Sequence, residues 1–144
     1  MKNFTLILLT LCIVSFADTE FAEPKPAIDN QRQIVFSIKS GDDEEIHHVL
    51  SSANNVLKFY GPENVEMKIV AYSKGIKTLL KIHKEIALRV RALMLLDVEF
   101  IACRNTMKTK KIKEEELIED SVIVTAGIVE IIERVKDGWI NIVP

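Results

Sequence analysis

Glycine and proline are scarce in this 144-residue chain, at five and four residues, which excludes collagen-like and low-complexity architectures. Cysteine occurs only twice, too few for an all-cysteine zinc site or a disulfide-stapled miniprotein. Positive charge is not in excess either. Nineteen Lys and Arg stand against 21 Asp and Glu, for a formal net charge of −2, so a nucleic-acid partner held by phosphate neutralisation is not expected. What is present is 48% hydrophobic and 28% charged residues, the balance of one globular domain.

The totals combine two unlike objects. Met1-Lys2 precedes an uncharged run from Phe4 to Phe16, closed by Ser15-Phe16-Ala17. A basic start, a short apolar stretch and small residues at Ser15 and Ala17 are the pattern of a secretory signal peptide. The run is shorter than the roughly 20 residues a spanning helix needs. Cys12 sits inside it after Leu11, where lipid attachment would want a small residue. Cleavage after Ala17 is therefore expected. It would take 17 of the 144 residues, leave 127 with a single cysteine, send the protein to the periplasm or outside the cell, and leave no stable membrane insertion. Residues 18–32, with Pro24, Pro26, Asp29 and Asn30, read as a flexible leader.

From residue 33 to 144 the pattern alternates between strand and helix. Gln33–Ile38 reads as a strand ended by Ser40-Gly41. Asp42 and Asp43 suit a helix start, and Ile46, Val49, Leu50, Ala53, Val56, Leu57 and Tyr60 form one apolar face up to the Gly61-Pro62 stop. A second strand lies within Glu66–Tyr72. A helical stretch follows through Ile76, Leu79, Leu80, Ile86, Val90, Leu93 and Met94, with a charged break from Lys81 to Glu85 where it would divide. Val98–Ala102 is a third strand, continuously apolar as a strand covered on both faces would be. Short helices are expected in Asn105–Asp120, then a strand at Val122–Thr125, a helix through Ile128, Ile131, Ile132 and Val135 to Gly138, and a last strand at Trp139–Val143. Five strands separated by helices predict a single α/β domain, a three-layer α/β/α sandwich around a five-stranded parallel sheet.

In such sheets ligands meet the chain beyond the carboxyl ends of the strands. Four turns qualify: Ser40-Gly41, Ser73-Lys74-Gly75, Cys103-Arg104-Asn105-Thr106 and Thr125-Ala126-Gly127. The first continues into Asp42-Asp43-Glu44-Glu45, which would repel a pyrophosphate. No glycine-rich nucleotide fingerprint occurs, so no cofactor is expected. The third places Cys103 after an apolar strand and before a helix, where backbone N–H groups and the helix dipole favour a thiolate. Arg104, Lys108, Lys110, Lys111 and Lys113 add positive charge. A reactive thiolate is what attack on an electrophilic sulfur requires; a small buried residue ending the strand is the other reading. No second cysteine makes a dithiol pair, and His47, His48 and His83 read as solvated, not as catalytic or metal-binding partners.

Several blocks carry a resemblance: Ser40-Gly41-Asp42, Asn54-Asn55, Phe100-Ile101-Ala102-Cys103-Arg104-Asn105-Thr106-Met107, Glu115-Glu116-Leu117, Val124-Thr125-Ala126-Gly127-Ile128-Val129-Glu130 and Gly138-Trp139-Ile140-Asn141-Ile142. Together they resemble the DsrE/DsrF-like family over residues 33 to 144. The resemblance implies an α/β/α fold, homotrimers or larger rings, and a cysteine that carries sulfur as a persulfide, which by its block is Cys103. Two departures stand out: Arg104 where relatives often have glycine, and the basic Ser73-Lys74-Gly75 turn. The expectation is an exported sulfur carrier rather than a turnover enzyme. Asn105, Thr106 and the following amides would stabilise the anion at Cys103. Arg104, Lys74 and Ser73 would line the approach of a sulfur donor or acceptor protein, or of a small anionic sulfur species. The alternative is a non-catalytic oligomeric module binding a small ligand or partner, with Cys103 inert and buried.

Overall fold

A computed structural model describes residues 18–144; Met1–Ala17, read above as a signal peptide, lies outside the described residues. Five strands form one parallel sheet: β1 (Arg32–Ile38), β2 (Val65–Ala71), β3 (Glu99–Cys103), β4 (Val122–Val124) and β5 (Ile140–Ile142). Their spatial order is β4-β3-β2-β1-β5. Four α-helices connect them: α1 (Asp43–Tyr60), α2 (Lys84–Met94), α3 (Arg104–Lys110) and α4 (Gly127–Lys136). The three-layer α/β/α class expected from the alternating pattern is the observed one.

The strand order explains how unequal the two outer layers are. From β1 to β4 the chain steps across the sheet in one direction, and right-handed crossovers then put every connection on the same face. That face holds the large core. Ile34, Phe36 and Ile38 of β1, Met67, Ile69 and Ala71 of β2, and Phe100 and Ala102 of β3 pack against the buried side of α1 and α2 and against Met107 of α3. The return from β4 to β5 reverses direction, so α4 covers the other face alone. Beneath it lies a smaller cluster of Val35, Val70, Ile101, Ile131 and Trp139.

Local chemistry sets the helix bounds. Asp42 caps α1 by accepting from the Glu44 and Glu45 amides at 3.0 and 3.1 Å, and Gly61 closes it at φ 85°, the left-handed range that favours glycine. Burying Ile46, Val49, Leu50, Ala53 and Leu57 fixes α1 on the sheet, each large side chain contributing about 1.5–3 kcal/mol. The helical stretch after β2 does divide near its charged break. Its first half, however, is a 3₁₀ turn, Ser73–Leu79, rather than an α-helix. Gly75 is the reason: its amide donates to both Tyr72 O (2.9 Å) and Lys39 O (3.0 Å). This ties the turn to the exit of β1 and leaves no room for a wider helix.

Candidate functional site

Successive residues of a strand face opposite sides of the sheet. In β3 this puts Phe100 and Ala102 in the large core, and Ile101 with Cys103 on the face covered by α4. Cys103 ends β3, occupies the N-cap position of α3 and is 6% exposed. Its register partner on β4 is Val124. The start of α4 comes down directly beside it. A Cβ on Gly127 would lie 3.2 Å from the Cys103 Cβ, 3.0 Å from Val70 Cγ1 and 3.4 Å from the Tyr72 Cβ. Only the missing side chain lets the first amide of α4 come this close to the thiol.

Burial pushes the Cys103 thiol up, because an anion loses hydration there. The backbone N–H of Gly127, the Thr106 hydroxyl and the Thr106 and Asn105 amides oppose that and outweigh it, so the thiol is held below its ordinary value. The donors come from two chain segments, the starts of α3 and α4. The two are stitched together by the Asn105 amide donating to Thr125 O at 3.2 Å. A third segment joins through Ser73, whose amide donates to Thr106 Oγ1 at 3.0 Å.

The residues singled out from the sequence therefore separate into two groups. Cys103, Asn105, Thr106 and Ser73 meet, with Asn105 and Ser73 contributing backbone amides. Lys74 and Arg104 are placed differently. Arg104 Nη1 is held 2.9 Å from Glu114 Oε1, ten residues on, so part of its charge is neutralised. Lys74 packs its Cβ over Gly41 and has no ion pair among the described residues. His47 lies on the opposite layer, its Nδ1 2.6 Å from Arg89 Nη1. Gly127 and Tyr72 are the neighbours that the sequence reading did not single out. Gly127 lies in a turn it placed at the sheet's mouth without giving it a role.

Two other features lie nearby, one at this end of the sheet on the α1 side and one on the α4 layer. A cavity of about 330 Å³ opens at the carboxyl ends of β1 and β5, lined by Ile38, Ser40, Glu44, His48, Val49 and Val143 among others. Along α4, Ile128, Val129, Ile132 and Val135 form an exposed apolar stripe. Among the described residues there is no cluster of three or more potential metal ligands and no helix long and apolar enough to cross a membrane.

Known structures share this architecture. MTH1491 from Methanobacterium thermoautotrophicum, described as a protein of unknown function, is 28% identical with a TM-score of 0.75, over 79% of this chain and 100% of that one. The ychN protein of E. coli is 16% identical with a TM-score of 0.67, over 79% and 99% respectively; at that identity the likeness speaks for the fold alone. No curated protein matches the chain. The DsrE/DsrF-like family pattern matches residues 28–144, which takes in the whole sheet and every residue around Cys103. The chain belongs to the DsrE/DsrF-like family, a family commonly linked to sulfur metabolism.

Proposed function

We propose that this protein is an exported sulfur carrier that holds sulfane sulfur as a persulfide on Cys103. The observation that carries the reading is the place of Cys103, the one cysteine among the described residues, where the starts of α3 and α4 come together at the end of β3. A thiolate stabilised in this way attacks the outer sulfur of a persulfide donor, R–S–S⁻. The new bond joins Cys103 Sγ to that sulfur, the donor's S–S bond breaks, and R–S⁻ leaves. No external oxidant or reductant is consumed, and a second thiolate reverses the step at the acceptor. The amides that favour the thiolate also suit the persulfide anion, because both place negative charge at the mouth of β3. Lys74, with no carboxylate partner among the described residues, is better placed than Arg104 to draw in an anionic donor. Export rests on the leader read from Met1 to Ala17.

Incubating the folded protein with inorganic polysulfide and measuring its intact mass is expected to show one added sulfur, absent from Cys103→Ala. If Cys103 alkylates readily yet gains no sulfur, the carrier reading falls. A second reading, an oligomeric module that binds a small ligand with an inert thiol, is favoured by the 6% exposure of Cys103 and by the cavity beside β5. Alkylation of the native protein no faster than its global unfolding would support that reading instead.

We also propose that a second copy of the chain covers the apolar stripe of α4, as the family resemblance implies. The stripe starts one residue after Gly127, so a neighbour seated on it would border the thiol. Ile132→Lys is expected to shift the sedimenting species from oligomer to monomer. A wild-type protein that sediments as a monomer at tens of micromolar would overturn this.

A further inference from the structure

We propose that the cavity at the carboxyl ends of β1 and β5 binds a small amphiphilic amine, its apolar body seated on Ile38, Val49 and Val143 and its ammonium held by Glu44 and Glu45. The inference stands apart from the carrier reading. The cavity opens on the α1 side of the sheet, whereas Cys103 ends β3, two strands away, on the side that α4 covers. It gives the ligand of the second reading a chemical class without requiring an inert thiol.

Strand order puts the cavity where it is. From β1 the chain steps outward to β4, and α4 then returns it on the other face to β5, on the far side of β1. The order therefore reverses between β1 and β5, which pair in parallel with Ile34 to Phe36 beside Ile140 to Ile142. At such a reversal the connections lie on opposite faces and leave a crevice beyond the carboxyl ends of the strands, the place where open α/β sheets take their ligands. The cavity of about 330 Å³ occupies this crevice, at the small end of the range for small-molecule sites.

Its lining divides into an apolar floor and a charged rim. Ile38 and Val49 are buried, and Val143 continues the floor past the end of β5. Glu44, Glu45 and His48 of α1, with Lys39 and Ser40 after β1, supply the polar groups. An anion is poorly served here. The Glu44 and Glu45 amides, which a free helix start would offer to one, are taken by the Asp42 carboxylate at 3.0 and 3.1 Å, and three acidic side chains occupy the first turn. Of those three, Asp43 is paired with Lys77 Nζ at 2.7 Å. Glu44 and Glu45 enter no ion pair among the described residues, and neither does Lys39. Two carboxylates against one ammonium leave the rim negative. An apolar floor under a negative rim is the complement of a cation carried on a hydrocarbon body. Burial of the body supplies the affinity, and the carboxylates select the sign of the head.

The test is a titration of the isotope-labelled protein, followed by amide NMR, with hexylamine, hexanol and hexanoate, which share one hydrocarbon body and differ in charge. Hexylamine is expected to shift the amides of Ser37 to Ser40, Glu45, His48 and Val143. It should bind roughly fivefold more tightly than hexanol, and hexanoate should bind most weakly. Glu44→Gln combined with Glu45→Gln should bring hexylamine to the level of hexanol; both side chains are exposed, so the fold is not at stake. Glu133→Gln, at an exposed carboxylate of α4, should change nothing. Equal binding of hexylamine and hexanol, tighter binding of hexanoate, or shifts scattered over the surface overturn the assignment of an amine. Cavity amides that ignore all three probes overturn the site. So do cavity amides that respond to protein concentration instead of to the amine, because a second copy then fills the crevice. Repeating the titration on Cys103→Ala keeps the two readings distinct. Amine binding that persists there stands whether or not polysulfide loads the wild type, and polysulfide loading without amine binding leaves the carrier reading and removes this one.

Discussion

Gly75→Ala is expected to leave little folded protein. A Cβ at this position would sit 2.0 Å from Ile38 O and 2.5 Å from Ile38 C. Both atoms are backbone, and Ile38 is the last residue of β1, a strand paired on both sides within the sheet. Neither partner can yield cheaply. Moving the turn outward breaks the two bonds of the Gly75 amide to Tyr72 O and Lys39 O; moving β1 disturbs its pairing with β2 and β5. Overlap relieved only by shifting backbone belongs with the most damaging substitutions, above about 4 kcal/mol, a large share of the 5–15 kcal/mol that holds a domain together. Soluble yield and urea unfolding measure it, and an unfolding free energy within about 1 kcal/mol of wild type would show that the turn has freedom these contacts deny. Gly138 makes a useful contrast, since a Cβ there meets nothing within 4 Å and only its φ of 95° opposes a side chain.

The same turn shows where sequence reading reached its limit. Strands β1 to β3 and helix α1 are legible because their apolar residues recur as continuous runs or at helical spacing, and those patterns report burial directly. Ile76, Leu79 and Leu80 also sit at helical spacing. Their segment is nevertheless a 3₁₀ turn, because its geometry is dictated by contact with Ile38 and Lys39, about 36 residues earlier in the chain. Cys103 was legible for a local reason: an apolar strand ends there and a helix begins. Its donors were legible only where they lie in the next three residues. Gly127 reaches the sulfur because β4 pairs with β3 and the following helix crosses to the other face, a fact of strand order that one sequence does not contain. The partial neutralisation of Arg104 by Glu114 is of the same kind. Basic residues can be counted in a sequence, but which of them meets a carboxylate depends on how the loop after α3 folds back.

Gly127→Ala is expected to weaken both the thiolate and the fold, in proportions that separate the two roles. Its added methyl would meet Val70 Cγ1 at 3.0 Å, the Cys103 Cβ at 3.2 Å and the Tyr72 Cβ at 3.4 Å, so the start of α4 must lift by a few tenths of an ångström. Overpacking of this degree costs typically about 1–3 kcal/mol. The lift also draws the Gly127 amide away from Sγ, and that amide is the largest of the contributions lowering the Cys103 thiol. The alkylation midpoint should rise by about one pH unit and the rate at neutral pH fall roughly tenfold. The sign follows from which form loses support: removing a donor from the anion moves the titration upward, so the loss is greatest below the new midpoint and vanishes well above it. Reactivity that recovers fully at high pH identifies an electrostatic effect, whereas a thiol merely covered by the displaced helix stays slow at every pH. An unshifted midpoint in a destabilised protein would reduce Gly127 to a packing residue. Combined with Thr106→Val, the substitution completes a double-mutant cycle on one sulfur. Two donors acting independently would give additive shifts, and a combined shift smaller than the sum would mean that Thr106 and the start of α4 hold the anion as one unit.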